Sequence, residues 1–480
     1  MKNAKIILRD TGAILLTVGI ATIFASIIPL IFKEHENALW MIVTVLTFFS
    51  VGGFFRLLGR GDGEPKIKHA MAIAALSWLI ISLISTIPFY FIENMDFLSS
   101  FFEAVAGWTG TGLTMIAKES ELPYTIQFWR TFTQWVGGVG VIVLTLIILA
   151  RPGTGSFTLY RSEAREEKIH PSVISTVKSI WWIFLLYTGI AILALFIAGM
   201  PVWEAINHAM TGLATGGFSV KDDGIASYGT IIQIVIIPLM VAGAISFAAH
   251  YDLLNKKIKK FFKDVQTQAL LFIIFSGMVI LTLINMGGYS TFLESFKYSA
   301  FQFASALTCT GFQTADVVSW SSSAKMILSF AMVIGGAAGS TAGGIKLFRA
   351  VLLAKGAGWR IKRIFLPPKS SFSHKLGGKI LSNEEAMEEV NEAATMSFLW
   401  MILLFIGVIV LLLTTGGSLD NVIFEVCSAQ GNVGLSTNIT SIDMNSVAKF
   451  MLIINMLIGR LEIIPILVLL RSIIAGRSIF

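Results

Sequence analysis

The chain has 480 residues, of which 55% are hydrophobic and only 14% are charged. A soluble protein of this length would have roughly three domains and a charged share of about 25%, so the composition excludes an ordinary soluble protein. Apolar runs of about 20 residues recur from end to end, as expected of membrane spans. The sequence therefore predicts an all-α polytopic membrane protein.

Ten apolar segments are long enough to cross a membrane. In chain order they are 11–32, 38–59, 69–92, 125–149, 176–199, 229–253, 267–287, 323–350, 392–415 and 446–470. No small-residue cleavage site follows the first, so we expect it to be retained. Four further apolar stretches are too short to cross, and we expect them to be re-entrant helices: 97–108, 202–213, 292–308 and 420–430.

The distribution of Lys and Arg predicts the orientation of the chain. The formal charge is +7, and the basic residues cluster in the segments 56–68, 151–168, 256–263 and 355–391 and at both termini. The loops on the other side are poor in Lys and Arg. By the positive-inside rule, both termini are cytoplasmic and the short helices enter from outside. This sorting explains the basic charge without a nucleic-acid partner.

From residue 69 onward, the order of span, short helix and span occurs four times. We divide the chain into two N-terminal spans (1–68) and four repeats, 69–170, 171–265, 266–391 and 392–480. The short segments end in sequences that align: WTGTGLT at 108–114, LATGGFS at 213–219, LTCTGF at 307–312 and QGNVGLS at 430–436. Nine residues before the aligned Gly, each repeat carries a polar residue: Glu103, His208, Gln302 and Glu425.

This arrangement predicts an ion pore. A short helix entering from outside directs its negative C-terminal end toward the middle of the membrane. Irregular backbone at that depth is tolerated only where it lines a cavity or is buried in protein. Four such segments around one axis would supply rings of carbonyl oxygens that replace the hydration shell of a monovalent cation. The alternative for any single segment is close helix packing, but four in register favour a filter.

These motifs resemble the Trk/Ktr/HKT superfamily of potassium transporters, whose subunits contain four span–pore–span repeats with a Gly-bearing filter strand in each. The resemblance covers essentially the whole chain, and the two additional N-terminal spans make it similar to TrkH-like subunits. It implies that K⁺ is the transported ion, that no cofactor is needed, and that K⁺ contacts fall on four residues of each strand. Those residues are Thr109, Gly110, Thr111 and Gly112; Ala214, Thr215, Gly216 and Gly217; Thr308, Cys309, Thr310 and Gly311; and Gly431, Asn432, Val433 and Gly434.

The first and fourth strands bear on selectivity. In this superfamily, Ser in place of the first filter Gly is associated with sodium permeation, so Gly112 implies a preference for potassium. Asn432 and Val433 depart most from the Thr-Gly pattern of the other strands. We therefore expect looser selectivity than a fully symmetric filter would give.

A run of small residues interrupts the last span of the third repeat. It forms either a tight helix–helix contact or a flexible intramembrane loop under the filter. TrkH-like subunits carry a Gly-rich gating loop here, and the resemblance implies the same role in this chain, with an Arg just beneath the filter. The implied gate residues are Gly335, Gly336, Gly339, Ser340, Thr341, Gly343, Gly344, Lys346 and Arg460.

Several charged residues have predicted partners or positions. A charge as deep in a span as Arg460 is expected to face a cavity or a partner. A loop carbonyl or a carboxylate on a neighbouring helix suits it better than Glu462, which is two residues away and on another helix face. Arg130 is predicted to be an interfacial anchor. Glu103 and Glu425 are predicted to brace the pore helices through backbone N–H groups rather than to bind ions.

The cytoplasmic stretch 354–391 is too long for a turn, and it forms either a solvated charged surface or a docking site. The resemblance implies a homodimer seated on a ring of nucleotide-binding TrkA-like subunits. We find no catalytic constellation, nucleotide motif or metal-ligand spacing, so an enzyme is not predicted.

The sequence favours channel-like potassium uptake across the cell (inner) membrane. An ion-coupled symporter, driven by H⁺ or Na⁺, is the alternative, although such transporters often use inverted repeats. A membrane scaffold or sensor would leave the four aligned strands unexplained.

Overall fold

The computed structural model describes residues 2–61, 66–149, 169, 173–367, 373–377 and 379–475. Helices dominate these residues, and many are long and apolar, so the predicted all-α polytopic membrane fold is confirmed. The basic segment 151–168 and the predicted boundary between the first two repeats lie outside the described residues.

Among the described residues, the elements occur along the chain in the following order. The helices are α1 Lys2–Ala25, α2 Ile28–Ile31, α3 His35–Leu58, α4 Ile67–Ile84, α5 Thr86–Ile92, α6 Phe97–Thr109, α7 Tyr124–Leu149, α8 Val173–Ile197, α9 Val202–Leu213, α10 Thr230–Ala244, α11 Phe247–Leu254, α12 Ile258–Lys263, α13 Val265–Asn285, α14 Phe292–Leu307, α15 Ser322–Ile334, α16 Leu347–Ile364, α17 Asn383–Thr415, α18 Leu419–Gln430, α19 Ser446–Leu461 and α20 Ile463–Ala475. The strands β1 His374–Leu376 and β2 Lys379–Leu381 form an antiparallel hairpin.

Within the described residues, six helical segments are long and apolar enough to span a membrane, or eight if two bent pairs are each one span. The six are Asn3–Ile31, His35–Leu58, Lys68–Ile92, Ser175–Ile197, Val265–Gly288 and Asn383–Thr415. The predicted count of ten therefore stays a prediction. The ninth predicted span begins earlier than expected, because Ser382 caps the helix at Asn383 and forms a capping box with Glu385.

The last helix of the second, third and fourth repeats is not continuous. In the second repeat the axis bends by 107° around Ile245, and in the fourth by 110° at Glu462. Ser246 caps the helix after the first bend, and Glu462 has a φ of 61°. In the third repeat, the predicted span 323–350 is two helices separated by residues 335–346.

The four short helices that precede the predicted filter segments are named pore helices 1 to 4: α6, α9, α14 and α18. Their C-terminal halves are buried throughout. Two of their N-terminal ends are fixed by contacts from the helix that follows the preceding pore helix in the ring. The Lys325 ammonium donates to Asn421 Oδ1 over 2.6 Å at the start of pore helix 4. The Lys449 ammonium donates to Ser99 Oγ over 2.8 Å in pore helix 1. These contacts join the third repeat to the fourth and the fourth to the first.

Candidate functional site

The four predicted filter segments, named strands 1 to 4 in chain order, share one backbone conformation. In each, the second and fourth residues have positive φ angles, between 51° and 101°. Gly occupies the fourth position every time, where positive φ carries no steric cost. Thr215, Cys309 and Asn432 hold the same conformation at the second position, where side chains make it unfavourable. Such strain persists only where the surrounding structure imposes it, and it clusters at functional sites.

The strands form a closed ring around a single axis. A Cβ added to Gly112 would overlap the carbonyl oxygen of Gly216, and one added to Gly217 would overlap that of Thr310. In the same way, Gly311 lies against the Val433 carbonyl. Gly434 completes the circuit, since its added Cβ would lie 2.5 Å from the Thr111 carbonyl oxygen. Each oxygen belongs to the third residue of the next strand, so the contacts run 1, 2, 3, 4 and back to 1.

Side-chain hydroxyl groups stabilise strands 1 and 3. Thr109 Oγ1 and Thr111 Oγ1 are 2.7 Å apart in strand 1, and Thr308 Oγ1 and Thr310 Oγ1 are 2.8 Å apart in strand 3. The first Thr of each pair also donates to a carbonyl of its own pore helix. Both threonines thereby tie the filter backbone to the helix that precedes it.

The fourth strand, which departs most in sequence, makes a different contact. Asn432 Nδ2 donates to Thr111 Oγ1 of strand 1 and to the Met456 carbonyl, both over 2.9 Å. The amide therefore links strand 4 to strand 1 and to its own repeat's last helix. The looser selectivity expected from this departure stays a prediction.

The polar residues nine positions before each filter Gly have equivalent roles. Glu103 accepts a bond from the Met115 N–H, and His208 Nε2 lies 2.9 Å from Ser219 Oγ. Gln302 Oε1 accepts from the Thr314 N–H over 3.0 Å. Glu425 accepts from the Thr437 N–H over 2.8 Å and the Thr440 N–H over 3.0 Å. Glu103 and Glu425 thus bond backbone N–H groups as predicted, and each brace fixes the segment that leaves the filter.

The prediction that Arg130 is an interfacial anchor is wrong. Its side chain is only 1% exposed, and its Nε lies 3.4 Å from Glu103 Oε2. The loop between pore helix 1 and α7 covers it, with Glu119 Oε1 3.8 Å from its Nη2. A position at the end of a span is compatible with either an interfacial or a buried side chain. The loop that covers Arg130 makes it buried.

The loop 335–346 lies directly against the pore-helix end of the filter. The Gly344 N–H donates to the carbonyl of Gly431, the first residue of strand 4, over 3.1 Å. Thr215 Oγ1 of strand 2 donates to Thr341 Oγ1 over 3.1 Å. Gly343 packs so closely on the Gly431 carbonyl that an added Cβ would overlap it.

The break in the second repeat supplies much of the loop's hydrogen bonding. The Ala337 N–H donates to the Ala244 carbonyl over 2.9 Å, and the Thr341 N–H to the Gly243 carbonyl over 3.2 Å. In return, the Phe247 N–H donates to the Gly339 carbonyl over 3.0 Å. The interrupted helix leaves these groups free of helical partners, and the loop satisfies them.

The remaining predicted gate residues shape the loop itself. Gly335 has a φ of 70° and packs against the Gly343 carbonyl, while Gly336 lies against Ala342. Ser340 Oγ donates to the Ala337 carbonyl over 2.6 Å. Lys346 ends the loop with a φ of 78° and donates to the Ala342 carbonyl over 2.5 Å.

Arg460 is buried beneath the filter and joins three repeats. Its Nη1 donates to the Thr341 carbonyl of the loop over 2.7 Å. Its Nη2 donates to the carbonyls of Gly137 and Gly138 in the first repeat, over 2.9 and 2.8 Å. The expected loop-carbonyl partner is thus confirmed. Glu462 instead forms a bidentate pair with Arg349, both N–O distances being 3.0 Å.

Sequence inspection missed Gly137 and Gly138, which bring the first repeat's helix against the filter. A Cβ on Gly137 would overlap the Trp108 carbonyl, and one on Gly138 would lie 3.0 Å from Ala214 Cβ. Adjacent glycines inside a span are a signal of close packing and could have indicated this contact.

Comparisons with known proteins agree with this architecture. The family model TrkH, described as a cation transport protein, matches residues 41–478. An uncharacterized cation transporter of Methanocaldococcus jannaschii is 35% identical over 98% of this chain and 96% of its own length. The Trk system potassium uptake protein TrkH of Escherichia coli is 32% identical over 97% of this chain and 98% of its own length.

The fold is also that of a solved structure. The crystal structure of the potassium transporter TrkH from Vibrio parahaemolyticus superposes with a TM-score of 0.85 at 27% sequence identity. The match covers 97% of this chain and 98% of the Vibrio chain. With the family model spanning most of the sequence and relatives matched over nearly their full length, the chain belongs to the TrkH family of cation transport proteins.

Proposed function

We propose that this chain mediates potassium uptake through a channel-like pore, with strands 1 to 4 as the selectivity filter. The observation that carries the proposal is the closed ring in which each filter Gly lies against the next strand's carbonyl oxygen. Such a ring offers several oxygens at one level, as is required to replace the hydration shell of K⁺. The related proteins named for potassium uptake and potassium transport support this choice of ion.

The loop 335–346 and Arg460 act as the gate. The loop's contacts with Thr215 and Gly431 support this role, because a loop seated there would close the inner end of the filter. The Arg460 guanidinium, which holds the loop at Thr341, adds a positive charge that repels cations from below. Opening requires the loop to leave these contacts, whereas its seated position blocks the path.

The proposal extends to the location of the chain, its organisation and its partners. The chain lies in the cell (inner) membrane with both termini cytoplasmic, and it is organised as the two N-terminal spans and four repeats defined above. It functions as a homodimer on a cytoplasmic, nucleotide-binding TrkA-like ring, which the stretch 354–391 contacts. The mass of the detergent-solubilised assembly, with and without such a ring protein, tests both associations.

Radioactive rubidium uptake into potassium-loaded proteoliposomes tests the filter directly, with external sodium as competitor. Sodium is expected to inhibit uptake by wild type only weakly. In Gly112→Ser the new Cβ would press on the Gly216 carbonyl, and sodium is expected to compete about tenfold better, equivalent to about 1.4 kcal/mol of lost discrimination. Gly53→Ser is the matched control, because a Cβ added at that helical Gly would meet no atom within 4 Å.

If wild type shows no rubidium uptake, the variant Arg460→Ala is measured next, because its loop lacks the guanidinium contact. No rubidium uptake by either protein would contradict the pore. Uptake that requires a proton or sodium gradient, rather than the membrane potential alone, would instead favour the ion-coupled symporter.

A further inference from the structure

The buried cation Arg130 joins two neighbouring filter strands at their outer ends. Its Nη2 donates to Thr114 Oγ1, two residues beyond the filter Gly of strand 1, over 3.0 Å. Its Nη1 donates to the Ser219 carbonyl, two residues beyond the filter Gly of strand 2, over 3.1 Å. The guanidinium carbon also lies 4.2 Å from the centre of the Phe218 ring, within cation–π distance. One side chain thus contacts the exits of both strands.

Glu103 fixes this guanidinium and one strand at the same time. Its Oε2 faces Arg130 Nε at 3.4 Å, while its Oε1 accepts from the Met115 N–H and, over 2.5 Å, from Thr114 Oγ1. Both side chains are almost completely buried. The carboxylate, the guanidinium and the two strand exits therefore form one continuous hydrogen-bonded unit behind the outer filter.

The other repeats have no ionic pair at the equivalent place. Arg130 is the seventh residue of its helix, and the seventh residues of the corresponding helices are Ile236, Leu328 and Leu452. The third repeat, for example, combines Gln302 with Leu328 and still forms its strand. A buried ion pair contributes little net stability over a well-packed apolar replacement. Folding alone therefore does not account for the pair in the first repeat.

We propose that Arg130 and Glu103 are positioning residues for ion selectivity, an inference that rests on the proposed filter. Arg130 sets the separation of strands 1 and 2 at their outer ends, and Glu103 holds Arg130 in place. Because the two strands meet where Gly112 contacts the Gly216 carbonyl, a fixed spacing there keeps the oxygen ring from contracting around the smaller Na⁺. Glu103 also balances the positive charge that Arg130 brings close to the ion path.

The test converts the first repeat to the arrangement of the third. The double variant Glu103→Gln/Arg130→Leu carries the residues found at Gln302 and Leu328, and removing both charges together leaves neither buried and unpaired. Sodium is expected to inhibit its rubidium uptake about tenfold more effectively than in wild type. Its thermal unfolding temperature in detergent is expected to stay near that of wild type, whereas Arg130→Leu alone lowers it because Glu103 loses its partner.

The matched control is Lys325→Gln, which replaces another buried cation with the residue that the first repeat has at that position, Gln127. Lys325 contacts pore helix 4 rather than a strand exit, so sodium competition is expected to be unchanged. If the double variant is not obtained folded, Arg130→Lys is measured in its place. A single ammonium group cannot reproduce the two separate hydrogen bonds of the guanidinium to Thr114 and Ser219.

The outcomes separate this inference from the function on which it rests. Loss of discrimination in the stable double variant, or in Arg130→Lys, supports the positioning role. Folded variants that discriminate as wild type does overturn it and leave the filter intact. Absence of rubidium uptake from wild type and Arg460→Ala overturns the proposed function, and the inference with it.

Discussion

The burial of single charged residues near the exits of the filter strands is the feature that the sequence predicts least well. The sequence predicts that Arg130 lies at the end of its span, but it does not indicate that the loop containing Glu119 folds over this side chain. Its burial depends on contacts between segments that are distant in the chain, such as Arg130 with Ser219. By contrast, the depth of Arg460 in its span was enough to predict that it faces a cavity or a partner, and a loop carbonyl was one of the two partners expected.

Glu119 lies in the loop between pore helix 1 and α7, and burial raises its pKa from the ordinary value of 4.5 to about 7. Arg130 acts in the opposite direction, while Glu103 and Asp222 add to the increase. The folded protein therefore holds this proton more tightly than the unfolded chain does. The stability that this provides is fully present below about pH 4.5, and it is lost as the pH rises through about 7.

Glu119→Gln should therefore flatten the pH dependence of stability. The unfolding temperature of wild type in detergent is expected to fall as the pH rises from about 4.5 through about 7, whereas the variant, which has no proton to lose there, should change less. Glu121→Gln is the control, because its exposed side chain is nearby in the same loop. Parallel slopes for wild type and Glu119→Gln would contradict this assignment.

Among the elements, interrupted helices distinguish this fold from a simple bundle. The Gly-rich interruption at 335–346 was predictable from composition, since so many small residues cannot form an ordinary lipid-facing helix. The bends at Ile245 and Glu462 were not. Each depends on one or two residues, a Ser cap in one case and a positive φ in the other. Only tertiary contacts make such local choices favourable.

The bend at Glu462 adjoins the proposed gate, which makes Glu462→Gln informative. Its carboxylate holds Arg349, in the first turn after the loop, and it follows Arg460 by two residues. Weakening this pair should loosen the seated loop and increase rubidium uptake in the absence of any regulator, by about tenfold if about 1.4 kcal/mol of closure is lost.

The charge-exchanged variant Arg349→Glu/Glu462→Arg provides the comparison for that result. It keeps a complementary pair at the same place and is expected to restore part of the closure. Equal uptake by wild type and Glu462→Gln would mean that the pair holds the bend without affecting the gate.

At the scale of the whole molecule, side chains on the helices that follow the filter strands connect neighbouring repeats. The fourth residues of these helices are Gln127, Gln233, Lys325 and Lys449. Trp203 of the second repeat donates to Gln127 of the first over 2.7 Å. Lys325 and Lys449 make the corresponding links from the third repeat and the fourth. The sequence revealed the four repeats, but the contacts that these Gln and Lys side chains make between repeats become apparent only once the ring is closed.

Lys449→Gln should measure how much the link between the last repeat and the first contributes. The ammonium bonds Ser99 Oγ and the Ile442 carbonyl in a buried setting, and hydrogen bonds from charged groups contribute about 1.5–3 kcal/mol. A lower unfolding temperature in detergent is therefore expected. Lys118→Gln, from an exposed pair with Glu121, should leave it unchanged. Equal shifts in both variants would rule out a special role for this link.

Because the ring of strands is made from one polypeptide, its four quarters are free to diverge. In a pore assembled from identical subunits, a buried guanidinium behind one strand would appear behind all four, and four positive charges would surround the ion path. Here Arg130 contacts the exits of strands 1 and 2, and Asn432 links strand 4 to strand 1. Arg460 contacts the loop 335–346 instead. Four repeats within one chain can therefore carry different residues, with different roles, at equivalent positions. Identical subunits related by rotational symmetry cannot.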